Sequence, residues 1–503
     1  MSIKLTGSMW HQLFQQHAGS AMSLQGKIRQ MLVSAILDGQ LPVGIPLPSS
    51  RELSVQLAVA RNTVVLAYQQ LVDEGYLVSR ERSGYFINAD ILAGGQKKQI
   101  PGPETQASGG PDWERRFTFR PSLQRNIVKR DNWQDYPYPF IYGQYDPVLF
   151  PTASWRESCL KALSVLDIHE WAQDMILRDD ESLVQQIRSR VLPRRGVWAS
   201  ADEIVITVGA QQALYLLADL LMGSDTPVGI ENPGYPDARN IFGSRTRHLL
   251  PLPVDHDGLL PDNHLLKQCD YVYLTPGHQC PTTVTMPLNR RQALLQKAEE
   301  SDFILIEDDY ESESRFQGDL TPTLKSLDRH HRVIYVGSLS KNLAPGLRIG
   351  YIVGPAPLIA ELRGVRRLML RHPSAYIQRA FSLFLSLGHY DAHQRRLSAA
   401  YRERAKVLGD ALARYLPDLH PVPISGGASC WLRGPDWLDV ETLCRRAEEK
   451  GVLIEPGNVF FMQDTMQHNH FRLGFSSIPI EKIEPGIRLL AEAMHELRPS
   501  GIP

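Results

Sequence analysis

The sequence predicts a multidomain chain in which a small α+β head is joined by a linker to a large α/β body with a mostly parallel sheet. Three observations predict it. The chain has 503 residues, about three times the ~150 residues of an average domain, so one core cannot serve all of it. Between about Asn88 and Phe117 the stretch AGGQKKQIPGPETQASGGPDWERR has no apolar period and is dense in Gly, Pro and polar residues. That is longer than the ~12 to 15 residues expected of a structureless loop inside one domain. Beyond it, strand-like runs such as EIVIT, VGIEN, YVYLT, FILIEDD and VIYVG alternate with amphipathic helical stretches, the pattern of an α/β sheet that binds ligands at the carboxyl ends of its strands. The expected divisions are a head over residues 20–88, a linker over 89–117 and a body over 118–500.

Composition narrows the function classes. Hydrophobic residues are 43% and charged residues 22% of the chain, which excludes a disordered, collagenous or disulfide-framed protein. Lys plus Arg (54) against Asp plus Glu (55) leaves −1, so any DNA-binding face must be local. Five scattered cysteines without a Cys-x-x-Cys pair point to a reducing compartment and no thiolate metal site. The pairs His330-His331 and His468-x-His470 lack a third ligand at recognisable spacing, so no metal is expected. The start, MSIKLTGSMWHQLF, has no apolar signal core, and no apolar run approaches the ~18 residues of a membrane span. A cytoplasmic protein without membrane partners is expected.

In the head, Ser23 is placed to cap a helix whose apolar stripe is Leu24, Ile28, Met31, Leu32, Ala35 and Ile36, closed by Gly39. Ser49 or Ser50 caps a short second helix, with Glu52 in its first turn and Leu53 and Leu57 one turn apart. The turn Ala58-Val59-Ala60 leads to a third helix, RNTVVLAYQQLVDEG, with Val64, Val65, Tyr68, Leu71 and Val72 on its buried side. After Gly75, YLVSRERSGYFIN alternates on either side of a turn at Arg80 to Gly84 and reads as a two-stranded ribbon. This is the order of a winged helix-turn-helix, whose third helix offers its first side chains to the major groove. Arg61, Asn62 and Thr63 stand there, able to meet base edges or phosphates. Arg51 is positioned for the backbone, and Gly84 lies in the ribbon turn. Between residues 21 and 90 six basic residues face six acidic ones, so affinity would rest on a few placed contacts and on dimerisation. Periodicity alone leaves a protein-interaction module open.

The words LPSSREL, ARNTVVLAYQQLVDEGYL and SGYF closely resemble the GntR-type winged-helix family across nearly the whole head. The resemblance implies DNA binding. Ala60 stands where that family often carries Ser, which weakens the helix cap and removes one phosphate contact.

In the body, four strand ends carry chemistry. Lys341 follows VIYVGSLS, where partial burial would lower its pKa and free the amine for imine formation; a solvated lysine is the alternative. FILIEDDY delivers Asp308, Asp309 and Tyr310, able to hold a pyridine nitrogen and a ring oxygen, or alternatively Mg²⁺ or a capped strand end. Gly209-Ala210-Gln211 joins EIVIT to an apolar helix whose free N–H groups suit an anion. ENPGYP places Tyr235 where a ring could cover a flat heteroaromatic, or simply enter the core. Arg348 adds a charge for a phosphate.

Their order closely resembles the fold type I aminotransferases that use pyridoxal 5′-phosphate. The resemblance implies that Lys341 forms the internal aldimine, Asp308 pairs with the pyridine nitrogen, Tyr310 contacts the ring hydroxyl and Tyr235 stacks on the ring. The phosphate falls to Ala210, Gln211, Ser338 and Arg348. In FRLGFS, Arg472 matches the arginine that grips a substrate carboxylate. About residues 390–500 would form the small subdomain. A winged helix joined to such a body is similar to the MocR subfamily of GntR regulators. TPGHQCPTT looks like their TPxHQxPTG segment, with Cys280 and Thr283 departing from the Asn and Gly of the catalytic form. His278 is left without an assigned role, and Cys159 and Cys280 read as packing residues. YGQYDPVLFP resembles the family's approach to the aminotransferase domain.

The expected function is a regulator that binds operator DNA and senses a small amine or amino acid through an external aldimine, as a head-to-tail homodimer with swapped heads. At most weak transaminase activity is expected. The rival is a working aminotransferase carrying a DNA-binding head.

Overall fold

The structure is a computed structural model that describes residues 7–15, 22–81, 83–90, 111–311, 321–421, 424, 426–462 and 468–499. The chain divides into two compact units, Met1–Arg116 and Phe117–Pro503. The expected linker falls largely on 91–110, outside the described residues.

Among the described residues the first unit holds four α-helices and a hairpin: α1 (Gly7–Gln15), α2 (Leu24–Leu37), α3 (Ser50–Leu57), α4 (Arg61–Asp73), β1 (Leu77–Arg80) and β2 (Gly84–Ile87). Ser23 caps α2 by accepting from Gly26 N at 3.2 Å. Ser49, not Ser50, caps α3, and Glu52 reaches back to the Ser49 N–H at 2.8 Å to complete a capping box. Ala58 turns the chain with a φ of 54° between α3 and α4. Burial along α2 begins at Ile28 rather than at Leu24, which is 51% exposed because the first turn of the helix lies beyond the core. The core joins Ile28, Leu32, Leu53, Leu57, Val64, Tyr68 and Leu71 to Trp10 of α1. The sequence reading began the head at residue 20 and so missed α1, whose Trp10, Leu13 and Phe14 follow helical spacing. β1 and β2 pair antiparallel, Leu77 opposite Ile87 and Arg80 opposite Gly84.

The second unit is built on an eight-stranded sheet. Its elements are β3 (Ile204–Thr207), α5 (Gly209–Leu221), β4 (Val228–Asn232), α6 (Pro236–Gly243), β5 (Leu249–Asp255), β6 (Gly258–Leu259), β7 (Tyr271–Leu274), β8 (Ile304–Asp309), β9 (Val333–Ser338) and β10 (Gly350–Val353). The order is β3-β10-β9-β8-β7-β4-β5-β6. β9, β8, β7, β4 and β5 run parallel, while β10 is antiparallel to both β9 and β3. Strands such as IVIT and VIYVG are apolar on both faces because helices cover both sides. A second core gathers around the long helix α7 (His389–Tyr415), a four-stranded antiparallel sheet and α8 (Ile480–Glu496). That sheet runs β11 (His420–Pro421), β12 (Ser429–Arg433), β14 (His470–Gly474), β13 (Glu455–Pro456).

Candidate functional site

The head presents Arg51, Arg61, Asn62 and Gly84 on its surface, with Thr63 half-buried. Arg61 Nε leans on Ser50 Oγ at 3.4 Å. α4 starts at Ala60 without a side-chain cap; the Thr63 N–H donates to the Ala60 carbonyl at 3.0 Å, which leaves the N–H groups of Arg61 and Asn62 to face an anion. Gly84 turns the hairpin with a φ of +97°, a conformation that L side chains rarely adopt.

In the second unit, β3, β4, β7, β8 and β9 deliver their carboxyl ends to one cavity of about 310 Å³. Ala210, Gln211, Tyr235, Asp308, Tyr310, Ser338, Lys341, Arg348 and Arg472 all line it. Sequence reasoning named all nine. α5 begins without a side-chain cap, and Arg348 lies across its start, its Nη2 donating to the Val208 carbonyl at 3.3 Å. Gly209 has a φ of +74°, and a Cβ there would meet the Arg348 guanidinium at 3.0 Å. Gly350 is just as constrained, since a Cβ would meet the Ala210 nitrogen at 2.9 Å.

The pleat of β8 separates the two aspartates. Asp309 points away from the cavity, accepting from Arg195 Nε at 2.8 Å and from the Tyr335 hydroxyl at 2.7 Å. Asp308 points in. Its Oδ2 accepts from the Tyr273 hydroxyl at 2.9 Å, and its Oδ1 is buried without a partner. Burial pushes its pKa up to about 6, although the Tyr273 bond and Lys341 act the other way. An unpartnered carboxylate oxygen in a closed site calls for a donor from a ligand.

Lys341 follows β9, its Nζ 4.1 Å from the Tyr310 ring centroid and 4.7 Å from that of Tyr142. Burial lowers its pKa, with Glu311 opposing. Tyr235 donates to Asp237 at 3.1 Å, and Gln211 Nε2 reaches the same oxygen at 3.3 Å. His278 stands outside the cavity lining, 3.0 Å from Glu311 Oε2, which places it in a buried pair with Tyr142 as third member: the Tyr142 hydroxyl donates to Glu311 Oε1 at 2.7 Å. Cys280, read as a packing residue, does pack against Trp431 and Phe460 but also forms part of the cavity wall. Thr283 is buried with a φ of 66°.

Arg472 is buried between the rings of Tyr142 and Phe460, 4.4 and 4.7 Å from their centroids. The sequence reading left its fork open for a ligand, but its Nε already donates to Glu455 Oε2 at 2.8 Å while Nη2 has no partner. Ile127, Lys129, Tyr142 and Gly143 also line the cavity, and sequence reasoning assigned none of them. Tyr142 and Gly143 sit in the quoted YGQYDPVLFP segment, whereas Lys129 lies in an irregular stretch without periodicity.

Residues 24–87 match the family described as bacterial regulatory proteins, gntR family, and residues 179–490 match aminotransferase class I and II. The regulator TauR of Rhodobacter capsulatus is 44% identical over 476 residues, covering 95% of this chain and 97% of that one. The chain belongs to the MocR-type regulators of the GntR family. The probable rhizopine catabolism regulatory protein MocR of Rhizobium meliloti is 30% identical over 94% of both chains. Among solved structures, a Pyrococcus horikoshii kynurenine aminotransferase in complex with PMP superposes with a TM-score of 0.69 at 28% identity, over 76% of this MocR-type chain and 98% of its own. The second unit therefore has the aminotransferase fold type I. GntR-type heads bind DNA, and no described helix of this regulator is long and apolar enough to cross a membrane.

Proposed function

We propose that this regulator works in the cytoplasm as a homodimer, holds pyridoxal 5′-phosphate in its second unit and alters its grip on operator DNA when a small amine enters that site. The observation that carries the reading is one cavity lined by a half-buried lysine amine, an orphaned carboxylate oxygen and an uncapped helix start beside an arginine. Those three features fit the aldehyde, the ring nitrogen and the phosphate of one molecule. When bound, pyridoxal 5′-phosphate supplies an aldehyde carbon that exchanges one primary amine for another.

Lys341, its amine kept below its ordinary pKa by burial, would hold that carbon. Asp308 would keep the ring nitrogen protonated, Tyr310 would meet the ring hydroxyl and Tyr235 would cover the ring. Ala210, Gln211, Ser338 and Arg348 take the phosphate. Arg472 receives the acidic end of an amino-acid effector. Arg51, Arg61, Asn62, Thr63 and the Gly84 turn contact the operator. A head-to-tail dimer with swapped heads is supported by family resemblance, and exposed Val165 and Leu166, 71% and 82% accessible, are apolar surface that a second copy would cover. The effector acts through unequal affinity for two arrangements, and a tenfold change in DNA affinity needs only ~1.4 kcal/mol.

Borohydride reduction of cofactor-saturated protein followed by peptide mass mapping tests the reading. The pyridoxyl group is expected on Lys341, with Lys341→Ala losing both the visible chromophore and the effector response. A modified lysine elsewhere, or none, rejects it.

A further inference from the structure

We propose that Glu311 and His278 form a buried positioning pair behind the Tyr142 ring, in which the Glu311 carboxylate supports a positive charge on the Lys341 nitrogen and a proton on His278 restrains that support. This rests on the function proposed above and deepens it, since there no residue governs the proton of Lys341.

The pair is defined by contacts. Glu311 follows β8 by two residues and is buried, as are His278 and Tyr142. Its Oε1 accepts from the Tyr142 hydroxyl at 2.7 Å, and its Oε2 lies 3.0 Å from His278 Nε2 in an ion-pair contact. The His278 ring meets the Tyr310 ring edge-on, with 6.1 Å between centroids. A Cβ at Gly427, whose φ is +73°, would collide with both the imidazole and Glu311 Oε2, so bare backbone packs directly on the pair. Water screens a carboxylate enclosed in this way far less than one at the surface.

Tyr142 carries that charge to the cavity, whose wall it forms. Lys341 Nζ lies 4.7 Å and the Arg472 guanidinium 4.4 Å from its ring centroid, and Lys341 Nζ is also 4.1 Å from the centroid of Tyr310. A phenol that donates to a carboxylate is polarised toward its ring, which favours the cations beside it. Arg472 already has a carboxylate of its own, Glu455 at 2.8 Å. Burial lowers the pKa of Lys341; Glu311 heads the groups that oppose the lowering, ahead of Cys280 and Asp308, while Arg472 adds to it. Lys129 is a further cation of the same cavity, and buried Tyr401 feels the Glu311 charge from α7. His278 sets how much of that charge is felt. With a proton on its ring it offsets Glu311, and without one the carboxylate acts in full. An amine must be unprotonated to capture an aldehyde, so the pair governs uptake of the cofactor as well as the colour of the loaded chain.

The test uses the full chain, cofactor-free and loaded, with pyridoxal 5′-phosphate as the probe. In the loaded chain the pH midpoint of the visible chromophore reports the proton on the Lys341 nitrogen. Glu311→Gln keeps the shape and an acceptor for Tyr142 but removes the charge, and is expected to lower that midpoint by about one pH unit. His278→Gln leaves the carboxylate unopposed and should raise it by about half a unit. In the cofactor-free chain at neutral pH, Glu311→Gln should speed capture of the cofactor by up to about tenfold, because a lower pKa leaves more neutral amine. His278→Gln should slow it, both read by stopped-flow absorbance. Glu311→Asp keeps the charge and should bring the midpoint back toward wild type. A pair that merely packs Tyr142 would lower the melting temperature without moving the midpoint. An unchanged midpoint in either Gln variant, or shifts of the same sign in both, overturns the proposal. Should Glu311→Gln fail to fold, His278→Gln decides alone, and a midpoint that stays or falls overturns it. A wild-type chain that never acquires the chromophore sinks the cofactor reading first; a chromophore present in every variant at one common midpoint sinks this inference alone.

Discussion

The starts of α4 and α5 invite comparison. Both helices begin without a side-chain cap, at Ala60 and Val208, while α2 and α3 are closed by Ser23 and Ser49. Of these four, the two uncapped starts carry anion chemistry in the function proposed, a DNA phosphate at one and a cofactor phosphate at the other; α6, α7 and α8 also begin without a side-chain cap, so a missing cap alone does not make such a site. They differ in surroundings. At α4 the partner side chains are consecutive and exposed, Arg61 and Asn62 with half-buried Thr63 behind them. At α5 they are gathered from strands far apart in sequence and enclosed in a cavity. An open helix start becomes an anion site only where suitable side chains gather beside it, and enclosure decides whether it reads a polymer or captures a small molecule.

The largest expected effect lies at the enclosed site. Asp308→Asn removes the charge behind the orphaned oxygen and should weaken pyridoxal 5′-phosphate by about a hundredfold, on the order of 3 kcal/mol, read by equilibrium dialysis. Its pH dependence has a definite sign. Asp308 titrates at about 6 in the fold against the ordinary 3.8, so its contribution to apo stability declines as pH rises through that window. Pairing with a protonated ring nitrogen needs the ionised form, so cofactor affinity should rise over the same window, and Asp308→Asn should flatten that part of the profile. Gly209→Ala comes next. A Cβ at φ +74° against the Arg348 guanidinium costs about 1–2 kcal/mol in backbone strain and should reduce cofactor affinity by about tenfold, with the head's DNA binding unchanged. Arg61→Ala breaks the open site instead, costing about 1–3 kcal/mol in operator affinity and relaxing sequence preference at one position by footprinting, with the chromophore unmoved. The smallest effect sharpens the comparison. Ala60→Ser should raise the melting temperature of the head through about 1 kcal/mol of capping; no stabilisation would mean that the α4 start is already satisfied.

The cofactor end of the cavity was legible because each of its residues directly follows an apolar strand: Gly209 after IVIT, Asp308 at the close of β8, Lys341 after β9. A parallel sheet puts all such ends on one edge, so order along the chain becomes neighbourhood in space. Lys129 and Tyr142 follow no strand of that sheet and belong to no period, so nothing local marked Lys129, and Tyr142 was marked only as part of YGQYDPVLFP. The Arg472–Glu455 pair depends on which residues of β14 and β13 face each other, a register that the sequence leaves undetermined. Helix α1 escaped for a different reason, since nine residues with one tryptophan are too short to separate from an unstructured start by spacing alone. The small head was the more transparent unit because capping chemistry at Ser23, Ser49 and Glu52 announces helix starts directly.

The alternation of Asp308 and Asp309 has an evolutionary consequence. Two identical acids side by side, one buttressing Arg195 and Tyr335 and the other facing the cavity, mean that deleting either codon leaves the same protein sequence. Both roles are then demanded of a single side chain that can point only one way, and the chain must forfeit either its internal brace or its ligand partner.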